Sequence, residues 1–131
     1  MFNMNEIETL KKLVEYNTIR DKENIEIINY ISNYLKDLGF KIEKKKKYLI
    51  MSIGNDYKLG FIGHSDTVDT TDGWLTNPFT LTQKDDLLYG LGACDMKGGI
   101  AAFLQALKEI DLYKLKKRNK NIYYIWWRNI F

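Results

Sequence analysis

Four glycines fall within ten residues in Gly90-Leu91-Gly92-Ala93-Cys94-Asp95-Met96-Lys97-Gly98-Gly99. A short apolar run precedes this segment, and a helical stripe of Ile100, Phe103, Leu104, Leu107 and Ile110 follows it. Such a chain must turn sharply from strand to helix here, and glycines suit a backbone that passes close to another element. The rest of the sequence fits an α/β plan. Residues 5–17 carry Ile7, Leu10, Leu13 and Val14 at helical spacing. Residues 22–38 carry Ile27, Ile28, Ile31, Leu35 and Leu38, and Gly39 stands as a stop. Residues 41–47, 48–53 and 58–63 read as strands. The lysines of the first suit an exposed edge, and Leu59-Gly60-Phe61-Ile62 suits a buried strand. Residues 80–83 and 87–89 read as a hairpin around Lys84-Asp85-Asp86, a helix is expected over 96–110, and 121–126 reads as a last strand. The two N-terminal helices are expected to do no more than cover the sheet.

With 131 residues, a chain can bury roughly two-thirds of its extended surface, enough for one core. The net charge of +3 comes largely from lysine-rich runs at 44–47 and 114–120, which read as solvated faces rather than a nucleic-acid surface. No stretch approaches the ~20 apolar residues of a membrane span, and the first residues lack a signal-peptide pattern. The single cysteine, Cys94, has no intramolecular partner, which fits a reducing cytoplasm.

Two segments carry chemistry. In Gly63-His64-Ser65-Asp66 the only histidine lies just past a strand's carboxyl end, where open α/β sheets bind ligands. Two residues apart on extended backbone, His64 and Asp66 point the same way. Histidine and carboxylate are common zinc ligands, and Asp66 is also placed to orient the imidazole. Alone, this pair reads as a loop histidine beside a carboxylate rather than as a metal site. Asp95, at the strand–helix junction, reads alone as an N-cap for the helix at Met96. The glycine segment is not a phosphate loop, because Lys97 is not followed by Ser or Thr. It is not a dinucleotide fingerprint either, because Asp95 takes the third glycine's place and would repel phosphate.

Taken together, Gly63-His64-x-Asp66-x-Val68, Gly73-Trp74, Asn77-Pro78-Phe79 and Leu88-Tyr89-Gly90-x-Gly92-Ala93-x-Asp95-Met96-Lys97-Gly98-Gly99 resemble the M20 zinc metallopeptidases and amidohydrolases. That group includes acetylornithine deacetylases and succinyl-diaminopimelate desuccinylases. The resemblance covers roughly residues 5–112. Leu91 stands where the family often has arginine, and Asp69 where it often has proline. It implies the first part of a zinc-peptidase-like α/β catalytic domain, a central mixed sheet flanked by helices, without the lid and dimerisation domain.

The resemblance also implies roles. His64 binds one metal, Asp95 bridges two, and Asp66 serves catalysis by orienting His64. A cis peptide follows the bridging aspartate. Trp74 and Phe79 pack the loop beneath the site, and Cys94 is a small buried residue. The implied cofactors are two zinc or cobalt ions. The implied activity is hydrolysis of C–N bonds in N-acyl amino acids or small peptides, in a cytoplasmic enzyme. Neither nucleic acid nor membrane is an expected partner, and full-length relatives are often homodimers.

The family's acidic Glu-Glu cluster is expected after the last strand, but residues 121–131 hold no carboxylate. Read one base later, Trp126-Trp127 becomes Gly-Gly, and an AGA codon at Arg128 then gives glutamate. This makes residues 113–131 a divergent tail, read either as a frameshift product or as a natural short or split-gene product. The chain is accordingly expected to be a truncated, inactive piece of the hydrolase, or a non-catalytic remnant that binds metal or a partner weakly.

Overall fold

The computed structural model describes residues 5–20, 24–45, 48–54, 57–112, 114 and 121–127, with residues 57–58 and 121–127 described by backbone alone. In chain order the elements are α1 (Glu6–Glu15), α2 (Ile25–Asp37), β1 (Lys41–Lys44), β2 (Tyr48–Ile53), β3 (Tyr57–His64), β4 (Thr82–Lys84), β5 (Leu87–Tyr89), α3 (Gly98–Glu109) and β6 (Asn121–Trp127).

Local chemistry sets the helix ends. At the start of α1 the Asn5 side chain accepts from the Glu8 amide at 2.9 Å, and the Glu8 carboxylate accepts from the Asn5 amide at 3.1 Å. This reciprocal pair satisfies two otherwise orphaned donors. α2 stops where Gly39 turns to a φ of +87°. The amides of Gly39 and Phe40 then donate back to Lys36 and Leu35.

The main sheet has the order β1-β2-β6-β3. β1 and β2 are antiparallel, as are β2 and β6, whereas β6 and β3 run parallel. β2 alternates cleanly, because Leu49, Met51 and Ile53 are buried while Tyr48, Ile50 and Ser52 are not. The buried set packs with Leu13 and Val14 of α1, Ile27, Ile31 and Leu35 of α2, and Ile100, Leu104 and Leu107 of α3. On β3, Phe61 stacks on Phe103 of α3, with ring centroids 4.1 Å apart. All three helices therefore lie against one face of the sheet. β4 and β5 form a separate hairpin whose turn carries Asp85 at a φ of +54°, a region that aspartate tolerates better than most residues.

The expected elements are present, with ends shifted by a few residues. At the start of α3 the shift changes a reading, since the helix begins at Gly98 rather than Met96. Of the lysine runs, Lys44 donates to Asn29 and Lys45 pairs with Glu43. Most of the 114–120 run, and the side chains of Trp126, Trp127 and Phe131, lie outside the described residues.

Leu13 is fully buried among these helices, whereas Leu75 is 98% exposed. Leu13→Ala is expected to cost about 2–5 kcal/mol of unfolding free energy in a denaturant titration. Leu75→Ala should stay within about 0.5 kcal/mol of the parent.

Candidate metal centre

Two arms of chain meet at the carboxyl end of β3. The first continues from His64 through Thr67. It is pinned by the stretch that follows α1. The Thr67 amide donates to the Thr18 carbonyl at 2.9 Å, and the Arg20 amide donates to the Thr67 carbonyl at 3.0 Å. Ile19 and Thr67 form an isolated parallel bridge, and the Thr18 hydroxyl donates to the Ser65 carbonyl. Thr18, Ser65 and Thr67 are all buried. The end of α1 thus holds the histidine loop in addition to covering the sheet.

The second arm runs from β5 into α3. Gly92 adopts a φ of +74°, and a Cβ there would lie 2.4 Å from the Thr67 methyl carbon. Only glycine lets these two arms approach so closely. Gly98 is similarly enclosed, with the Ala93 carbonyl oxygen 2.5 Å from a built Cβ, whereas Gly99 meets nothing nearer than Met96 at 3.7 Å. The close approach expected of both glycines therefore holds for Gly98 alone.

The Asp95–Met96 peptide bond is cis, and both residues have non-helical backbone angles. α3 starts at Gly98, with Lys97 at its N-cap position and no side-chain cap bond. Asp95 does not cap the helix. Its carboxylate points instead toward His64.

At the meeting point His64 Nε2 lies 3.0 Å from Asp95 Oδ1. On the other side of the ring, Nδ1 lies 3.2 Å from the main-chain carbonyl oxygen of Asp66 and 3.6 Å from its carboxylate. Both oxygens only accept, so a neutral ring donates to one of them, and the tautomer with its proton on Nδ1 leaves the Nε2 lone pair facing Asp95. The orienting contact from Asp66 is thus made by its backbone, with the carboxylate slightly farther away. That carboxylate is 13% exposed and one of its oxygens is buried without a hydrogen-bond partner, whereas Asp95 is 85% exposed. The His64 amide also donates to the Met96 sulfur at 3.5 Å.

Nitrogen and oxygen ligands of one tetrahedral zinc stand roughly 3.3 Å apart, given metal bonds of about 2.0–2.1 Å. The observed 3.0 Å between Nε2 and Oδ1 is close to that spacing, so the pair fits the donor set of a shared ion. Among the described residues, no group of three or more His, Cys, Asp or Glu side chains is placed to hold a metal.

Lys97 belongs to the same motif, and nothing in the sequence pointed to its structural role. It is buried, and its Nζ donates to the carbonyl of Tyr16, the C-cap of α1, at 2.8 Å. A cation there satisfies an orphan helix carbonyl and complements the helix dipole. Burial pulls its pKa down from 10.5 to about 8. Other expectations are corrected. Cys94 is exposed rather than buried. Trp74 is 36% exposed and lines an open cleft with Thr71, Leu75, Lys84 and Tyr89, so it does not pack beneath the site.

The family model of peptidase family M20/M25/M40 matches residues 60–129, more than half of the chain. An acetylornithine deacetylase of Shigella sonnei is 42% identical over 106 residues, covering 74% of this chain and 28% of the relative. An M20 family metallo-carboxypeptidase from Sulfolobus solfataricus superposes with a TM-score of 0.77 and 25% identity, covering 98% of this chain and 31% of the other. Human carnosine dipeptidase 1 shares the fold at a TM-score of 0.75 and 23% identity, covering 93% and 31%. The chain belongs to peptidase family M20/M25/M40. It spans less than a third of the length of each of these relatives.

Two predictions follow from this packing. Gly92→Ala adds a left-handed backbone cost of about 1–2 kcal/mol to the collision with Thr67. The variant should lose about 2 kcal/mol or more of stability, and Thr67→Ser, which removes the methyl, should recover part of the loss in a double-mutant cycle. Lys97 should make stability pH-dependent. Below pH 8 both folded and unfolded chains hold the proton, and the full cost of burying the charge is present. Between pH 8 and 10.5 only the unfolded chain holds it, so stability rises with pH. Relative to Lys97→Met, the parent should gain up to about 3 kcal/mol across that window. A pH-independent difference between the two proteins would refute this.

Proposed function

We propose that this chain carries one half of the metal site of a metal-dependent amide hydrolase, with His64 and Asp95 as ligands and Asp66 orienting His64. The observation that carries this reading is the 3.0 Å convergence of His64 Nε2 on Asp95 Oδ1, with Nδ1 already committed to Asp66. Zinc or cobalt is the proposed cofactor, two ions in the complete site. Such ions lower the pKa of a shared water and polarise the scissile carbonyl. His64 presents a neutral nitrogen, and Asp95 presents an exposed anionic oxygen able to reach two ions. N-acyl amino acids or small peptides are the proposed substrates, and the cytoplasm the proposed compartment. No described helix is long and apolar enough to cross a membrane.

Residues 1–131 do not complete the reaction in this proposal. Two protein ligands fall short of the three or four usual for zinc. A general base is also needed to take the proton from water. Glu109 is the last glutamate and Asp111 the last aspartate of the sequence, so residues 112–131 supply no acidic side chain for this role. Residues 113–131 are proposed as a tail divergent from the family's acidic segment.

Calorimetric titration of the purified chain with zinc is expected to give affinity weaker than micromolar, abolished by His64→Ala and by Asp95→Asn. N-acetylornithine with zinc or cobalt should not turn over. Turnover that disappears on His64→Ala would show that the chain is sufficient by itself. Zinc affinity unchanged by either substitution would remove the metal-site reading.

A further inference from the structure

The hairpin β4-β5 turns apolar side chains outward. In its register Thr82 stands opposite Tyr89 and Lys84 opposite Leu87, so these four residues share one face. Leu88, on the other face, packs against the core, as does Leu81 just before β4. A hairpin anchored in this way ordinarily shows polar residues to water on its outer side. Here Leu87 is 61% exposed and Tyr89 is 40% exposed.

The loop of residues 71–76 lies beside that face. Gly73 takes a φ of +99°, which glycine adopts without strain, and a Cβ there would meet nothing within 4 Å. The loop is pinned at its base. The Asn77 side chain accepts from the Phe79 amide at 2.9 Å, and the Pro78 carbonyl accepts from the Leu91 amide at 2.7 Å. Loop and hairpin together line a cleft of about 550 Å³, to which the loop contributes Trp74 and the hairpin Tyr89. That volume falls in the range of small-molecule sites, which combine apolar walls with a few polar groups. Among those polar groups are one acid and one base. Asp72 comes from the loop and Lys84 from β4, and neither side chain has an ion-pair or hydrogen-bond partner among the described residues. None of His64, Asp66 and Asp95 lines the cleft.

These charges narrow what the cleft can take. An anion matched to Lys84 would also face Asp72, and a cation matched to Asp72 would also face Lys84. A wholly apolar ligand would strip water from both without offering a partner in return. A molecule that carries both charges on an apolar body satisfies all three parts of the site. We propose that this cleft binds a free α-amino acid with an aromatic side chain. Its carboxylate pairs with Lys84, its ammonium pairs with Asp72, and its ring meets Trp74 and Tyr89 in offset or edge contacts. The site is separate from the His64–Asp95 pair and does not depend on the hydrolase reading.

The test titrates the metal-free full chain with L-phenylalanine and follows the Trp74 indole N–H by nuclear magnetic resonance, assigned with Trp74→Phe. A saturable shift with a roughly millimolar dissociation constant is expected. L-alanine should bind at least tenfold more weakly. N-acetyl-L-phenylalanine and L-phenylalanine amide, each lacking one charge, should bind at least fivefold more weakly. Asp72→Asn should bring the N-acetyl form within twofold of L-phenylalanine, and Lys84→Met should do the same for the amide. Tyr89→Ser should weaken binding at least fivefold while keeping the parent's circular dichroism. Ile62→Ser, at a 62% exposed site on β3, should change it less than twofold. The proposal is overturned if L-phenylalanine produces no saturable shift, or if both blocked forms bind as well as it does. It is also overturned if the penalties for blocking persist in Asp72→Asn and Lys84→Met. Self-association that Trp74→Ala abolishes and L-phenylalanine leaves intact would assign the cleft to a second copy instead and overturn it too.

Discussion

Thr67 is held from two directions, and the geometry of the site depends on it. Its backbone pairs with Thr18 and Arg20, while its methyl group lies against Gly92. The first contact fixes the histidine arm, and the second sets how near the aspartate arm can come. Neither involves a group that would touch a metal. Lys97 ties the same aspartate arm to the end of α1 through the Tyr16 carbonyl, so α1 and its trailing residues brace both arms at once. Burying that ammonium is unfavourable for the charge, as its lowered pKa records, and the helix-end carbonyl offsets part of the penalty.

Much of the scaffold was legible because it depends on periodicity. The alternation of Leu49, Met51 and Ile53 marks β2, and the isoleucine stripe marks α2. The order of strands was not legible, since apolar pattern identifies a strand without saying which neighbours it takes. At the site, His64 and Asp95 could be paired from their motifs. The role of Asp95 in isolation could not, because an aspartate before a helix reads as a cap, whereas α3 begins at Gly98 and the carboxylate lies against His64. The Thr18–Arg20 clasp left no trace in the sequence, because a single parallel bridge has no repeat. Nothing in the sequence marks Lys97 as buried, since its burial comes from the packing of α1 against the start of α3.

Fold and chemistry divide differently along this chain. The core of three helices and β2 is continuous and well buried, yet the donor set at the end of β3 contains one imidazole and one exposed carboxylate. A scaffold can therefore place an imidazole nitrogen and a carboxylate oxygen within about 0.3 Å of a shared-ion spacing.

The position of β6 bears on the order in which the molecule can assemble. β2 and β3 are separated by only residues 54–56, yet they are not paired with each other, because the most C-terminal strand lies between them. A ribosome releases β2 and β3 long before β6 exists. Until then the pair must remain apart, or else form a mispaired hairpin that later has to open. Loop closure over more than sixty residues is slow relative to hairpin formation. The sheet therefore closes only after β6 has emerged, and a nascent chain of this design has to avoid its own nearest neighbour.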